Sequence, residues 1–162
     1  METQRSKEKG FSLIELLIVV AIILIIASIA IPNLLSARRQ TNETAAVKAI
    51  STINTAQISY NSAYPATGFA GTLSVLGGTS CAPPTTTNAC LIDSQLASGT
   101  KNGYTFTLAS SGGTPAATYQ VIASPTVPNQ TGVRYFCSFA DGVIRASDAP
   151  IAACDYTLPP LQ

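Results

Sequence analysis

Residues 11–31 form an apolar run that a lone carboxylate interrupts, and that pairing constrains the chain more than any other feature. The run begins Phe11-Ser12-Leu13-Ile14-Glu15-Leu16 and continues to Ile31, with Ser12, Glu15 and Ser28 as its polar interruptions. As a helix it is about 31 Å long, enough to cross the hydrocarbon core of a bilayer. A charge at the centre of a bilayer costs about 2.5–3.5 kcal/mol on insertion scales. Glu15 therefore calls for a partner or an interface. A secretory signal would have a shorter apolar core, and the small residues Ala27-Ser28-Ile29-Ala30 come late for a cleavage site.

The rest of the composition narrows the choice. At 162 residues the chain is one domain with appendages. Residues 1–10 carry Glu2, Arg5, Lys7, Glu8 and Lys9, and the basic members keep this end on the cytoplasmic side of a membrane. Beyond residue 10 the formal charge is zero, six basic against six acidic side chains. The sequence shows no basic patch of the density that nucleic-acid binding usually needs. There is no His, which removes the commonest general base and a frequent metal ligand. No nucleophile–base pair can be argued, so an enzyme is not expected, and neither is a cofactor.

The string Lys9-Gly10-Phe11-Ser12-Leu13-Ile14-Glu15-Leu16, followed by an aliphatic run that ends at Pro32, resembles the processing site of type IV pilins and related pseudopilins. The resemblance is strong over residues 5–39 and holds beyond them only in outline. It implies that a membrane prepilin peptidase/methyltransferase cuts between Gly10 and Phe11 and N-methylates Phe11. It also implies that Glu15 pairs with the terminal amine of a neighbouring subunit during assembly. The alternatives for Glu15 are its own Phe11 amine, one helical turn away, or the membrane interface. A glycine at the cut lets the peptidase approach the backbone closely.

The helical pattern continues past Pro32. Proline has no N–H for the carbonyl of Ser28, so a kink or a local opening is expected there. Ala46, Ala49, Ile50, Ile53, Ala56 and Tyr60 recur at three- and four-residue spacings, while Lys48, Ser51, Thr52, Thr55 and Ser59 face away. One bent helix from about 11 to 61 is the reading. Residues 1–10 are a cleaved cytoplasmic leader, 11–32 a membrane and filament-core helix, 33–61 its amphipathic continuation and 62–162 a disulfide-bonded head.

In the head, Tyr64-Pro65-Ala66-Thr67-Gly68 is turn chemistry, and Leu73 and Leu76 are loop anchors. Ile92–Ala97 predicts one or two helical turns. The period then changes to two. Tyr104, Phe106 and Leu108 mark one strand, and Tyr119, Val121 and Ala123 a second. Val133, Tyr135, Cys137 and Phe139 share one face of a third. Asp141-Gly142 reads as a two-residue hairpin into Val143–Ala146. The expected fold is α+β, with the helix packed on an antiparallel sheet of three or four strands, as in pilins. The four cysteines, Cys81, Cys90, Cys137 and Cys154, follow a membrane segment, which suggests an oxidising compartment and two disulfides. Three pairings are possible, and Cys81–Cys90 with Cys137–Cys154 closes the shortest loops.

Other features carry less. Asp141, Asp148 and Asp155 lack the spacing of a calcium loop and read as solvated charges, so no metal is expected. Asn42-Glu43-Thr44 and Asn129-Gln130-Thr131 match a glycosylation sequon, and the Thr85–Thr87 run could carry O-linked sugar. By its resemblance the chain is a prepilin, held in the bacterial inner membrane with its head in the periplasm. After processing it polymerises into an extracellular type IV pilus that serves motility, adhesion or DNA uptake. Its partners would be copies of itself, the peptidase, and the assembly ATPase with its inner-membrane platform, nucleic acid being left open. The alternatives are a type II secretion pseudopilin and a minor tip pilin that binds DNA or a surface.

Overall fold

The computed structural model describes residues 11–78 and 81–161, so the leader, Gly10 included, lies outside the described residues. The chain divides into two compact units, Met1–Ala37 and Arg38–Gln162. Helix α1 runs Leu13–Ala63 and stays helical through Pro32. Two short helices follow, α2 (Leu73–Leu76) and α3 (Ser94–Ala97). The strands are β1 (Thr100–Lys101), β2 (Tyr104–Ser111), β3 (Thr118–Pro125), β4 (Tyr135–Phe139) and β5 (Arg145–Ser147). They form one antiparallel meander in the order β1-β2-β3-β4-β5.

The sheet thus has five strands rather than three or four. β1 is too short to show a period of two, but its turn was legible. Asn102 and Gly103 both take positive φ, 49° and 73°, as a two-residue hairpin of the primed type requires. Asp141-Gly142 is not such a hairpin. β4 and β5 pair from Cys137 and Arg145 outward, which leaves a longer connection. The carboxylate of Asp141 holds that connection open, accepting from the Val143 N–H at 3.0 Å and from Arg145 Nη2 at 2.7 Å. Asp141 is therefore paired rather than simply solvated. Burial raises its pKa, but the Arg145 and Val143 donors outweigh burial and hold the carboxyl below its usual range.

α1 ends where Pro65 forces the residue before it out of helical geometry. The N–H of Gly68 caps the Tyr64 carbonyl at 3.1 Å. Gly68 has φ +80° and lies against the Ala116 backbone, where no side chain fits.

The amphipathic part of α1 buries Ala46, Ala49, Ile50, Ile53, Ala56 and Tyr60. They join Tyr104 and Phe106 of β2, Val121 and Ala123 of β3, and Phe136 of β4, while Leu73, Leu76 and Leu96 complete the core. Pairing of Val121 with Ser138 and of Ala123 with Phe136 places Phe136 and Ser138 on the helix side of β4. Tyr135, Cys137 and Phe139 therefore share the opposite side, one face of the strand as their alternation indicates. Both sides of β4 are buried because the C-terminal segment covers the outer one. Cys154 is bonded to Cys137, and Tyr156 meets Phe139 edge-on at 4.9 Å between ring centroids. Arg145 lies over both rings, 4.4 Å from Phe139 and 5.2 Å from Tyr156. The other disulfide joins Cys81 and Cys90 and closes the Pro/Thr loop.

Three polar side chains on the buried stripe of α1 were not singled out as core residues from the sequence, and each grips a different part of the head. Gln57 makes two 2.8 Å hydrogen bonds with the backbone of Ala70. Asn54 donates to Ser138 Oγ at 2.9 Å and accepts from the Tyr119 hydroxyl at 3.0 Å. Burial and the Asp141 charge push that phenol up to about 12. Glu43 accepts from the N–H of Val133 at 2.9 Å and from Arg134 Nε at 2.9 Å, while Asn42 donates to the Thr131 carbonyl at 2.8 Å. The amide of Asn42 is thereby committed to the fold, which argues against its use as a sugar acceptor.

Burial raises the Glu43 pKa, but the Val133 and Arg134 donors outweigh it and leave the carboxyl below its ordinary 4.5. A depressed folded-state pKa gives stability that is present above the unfolded value and lost as pH falls through the folded one. Glu43→Gln is therefore predicted to lower the melting temperature at pH 7 and to flatten its fall between pH 5 and 3. Thermal melts across that range test this; an unchanged acid slope would contradict it.

Candidate functional site

The apolar start of α1 is the candidate site. Every described residue from 11 to 37 is exposed except the half-buried Ala27. The exposed side chains include Phe11 at 82%, Leu13 at 81% and Ile25 at 65%. A monomer in water rarely leaves so long an apolar surface open, because covering it is strongly favourable. By length and composition this is a helix able to cross a membrane, with a mean hydropathy of 3.2 over its most apolar window.

Glu15 sits in the first turn of this helix. The carbonyl of Ser12 accepts from the N–H groups of Glu15 and Leu16, at 3.1 and 3.3 Å, so the helix is anchored on Ser12. Glu15 Oε2 in turn accepts from the Ser12 N–H at 2.9 Å. This is the acidic half of a capping box: the carboxylate folds back onto an amide that the helix leaves unpaired. An anion there is also favoured by the helix dipole. Ser12 was not singled out from the sequence, although Ser12-Leu13-Ile14-Glu15 has the spacing of that motif.

The arrangement keeps Glu15 at the end of the apolar helix and one helical turn from Phe11. It gives the carboxylate a donor within its own chain that a stronger cationic donor would displace. Pro32 lies farther along the same helix, where its missing N–H leaves the Ser28 carbonyl without its ordinary donor. The Ser28 hydroxyl donates to the Ile25 carbonyl at 2.8 Å. The four cysteines belong to Arg38–Gln162 and take no part in this site.

The exposed face of α1 beyond residue 40 is polar but largely self-satisfied. Thr44, Thr52, Thr55 and Ser59 each donate to the carbonyl four residues earlier, at 2.9–3.1 Å.

Comparison with known proteins points the same way. The family model for the prokaryotic N-terminal methylation motif matches residues 5–31. Over 36 residues the chain is 67% identical to the type IV wide pilus major component PilA4 of Thermus thermophilus. That match takes in 22% of this chain and 28% of the length of PilA4. No solved structure matches the chain. The N-terminal segment is thus that of a protein carrying the methylation motif. With the long apolar helix and its five-stranded antiparallel sheet, the matches support likeness to a type IV pilin.

If the exposed run serves as a membrane anchor, Ile22→Lys puts a charge near its centre at a cost of about 2.5–3.5 kcal/mol. Fractionation of cells is predicted to show this variant depleted from membranes relative to Ile22→Leu. Equal retention of the two would contradict the anchoring role.

Proposed function

We propose that the chain is the structural subunit of a type IV pilus. Residues 1–10 are a cytoplasmic leader removed between Gly10 and Phe11, and Phe11 is then N-methylated by the same peptidase. Until assembly, residues 11–32 hold the subunit in the inner membrane with its head in the periplasm. An assembly ATPase and its membrane platform then deliver it to a growing extracellular fibre, where the apolar helices bundle. The fibre would serve motility, attachment or DNA uptake.

The observation that supports this reading most is the place of Glu15. It stands in the first turn of an otherwise apolar, exposed helix, where its partner among the described residues is the Ser12 backbone amide. Cleavage before Phe11 creates a cationic amine one turn away. A neighbour's amine offers Glu15 a charge-assisted bond in place of a neutral one, and such bonds are roughly twice as strong. Pairing neutralises both charges as the apolar surfaces close and sets the axial register between subunits. The two disulfides of the head suit a fibre exposed to an oxidising exterior better than they suit a transient secretion pseudopilin.

Glu15→Leu tests the reading. In a strain that carries only this variant, the subunit should be processed and held in the membrane. Sheared fibre should fall by about tenfold or more, the loss that about 1.4 kcal/mol of contact free energy produces. Wild-type fibre yield from Glu15→Leu would overturn the assembly role.

A further inference from the structure

The charges within Arg38–Gln162 do not all find partners, and those left over are sorted by place. Three ion pairs form there among the described residues: Lys101–Asp93, Arg134–Glu43 and Arg145–Asp141, at 2.7, 2.9 and 2.7 Å. Three cations have no carboxylate within ion-pair distance among the described residues, and all belong to α1: Arg38, Arg39 and Lys48. The two remaining carboxylates of this unit, Asp148 and Asp155, lie on the C-terminal segment.

Two of these groups stand out. Arg39 Nε is shielded from water and has no acceptor. A shielded, unpaired N–H is a rare and costly state, and a guanidinium fork is shaped for a carboxylate. On the other side, Asp155 is already used by the N–H of Thr157 at 2.9 Å, whereas Asp148 is exposed at the edge of a shallow groove. That groove holds about 390 Å³ and is bordered by Arg134, Ala146, Ser147, Leu158 and Pro159.

We propose that Arg39 of one copy, next to Arg38 in sequence, takes the Asp148 carboxylate of a second copy, the groove beside Asp148 seating the Arg38–Arg39 part of α1. A second copy is the partner that the charge balance favours. Glu15 aside, three cations on the helix and two carboxylates on the tail lack ion-pair partners among the described residues, so the helix of one copy and the tail of another are complementary in charge. Cations on the helix and carboxylates on the tail are different patches, and a contact between unlike patches can repeat along a fibre.

This contact rests on the reading of the chain as a fibre subunit, and the test separates the two. Arg39→Gln and Asp148→Asn remove charge while keeping side-chain shape. Each, expressed alone as the full chain, should yield about tenfold less sheared fibre than wild type. Membrane levels and non-reducing mobility should be unchanged. The double variant should lose no more than the worse single, because a pair can be broken only once. The charge exchange Arg39→Glu with Asp148→Arg should recover fibre relative to Asp148→Arg alone. Normal fibre from Asp148→Asn, or losses that simply add in the double variant, would overturn the contact. If wild type itself yields no fibre, the fibre reading fails first; if wild type and variants yield alike, only this contact does.

Discussion

One helix serves two solvents, and the rest of the structure depends on how it changes between them. Up to residue 37, α1 is largely apolar, and every described residue but Ala27 is exposed. Beyond it the same helix narrows to a single buried stripe, against which the sheet packs. A stripe needs one partner surface, and β2–β4 supply it. A helix apolar all round needs to be enclosed. Enclosure by lipid before assembly and by other copies afterwards is the solution proposed here, and it makes Glu15 a matter of timing. A carboxylate is tolerable at the helix end while the Ser12 amide holds it, and useful once a cation arrives.

The head is built to keep its grip on the helix. Glu43, Asn54 and Gln57 lie on the apolar stripe and reach, respectively, the segment before β4, the face of β4 and the loop before α2. Each satisfies buried backbone or side-chain groups that would otherwise be costly. On the far side of the sheet, the Cys137–Cys154 bond and the stacking of Arg145 on Phe139 and Tyr156 hold the C-terminal segment over β4. A fibre subunit under tension would draw on both arrangements.

Much of this was legible in the sequence, and the exceptions have physical causes. The stripe from Ala46 to Tyr60 declared itself through its spacing, as did the alternation in β2 and β3. Glu43, Asn54 and Gln57 did not, because polar residues on a buried face look like exposed ones until their partners across the fold are known. β4 was legible in part. Tyr135, Cys137 and Phe139 share one face, as their alternation indicated, but which face meets the helix is set by pairing with β3, which turns Phe136 and Ser138 to it. β1 was passed over for want of a period, although Asn102-Gly103 announces its hairpin. At the candidate site Glu15 was conspicuous and its companion Ser12 was not, because a serine at the start of a helix is easily read as filler.

On the proposed reading, cleavage frees the Phe11 amine, and the apolar helix then passes from the membrane into a fibre. N-terminal mass spectrometry of fibre sheared from intact cells tests it most directly. The account predicts that the fibre subunit begins at Phe11 and carries a methyl group on its amine. A sheared fraction without this chain, or one in which it retains residues 1–10, would contradict it.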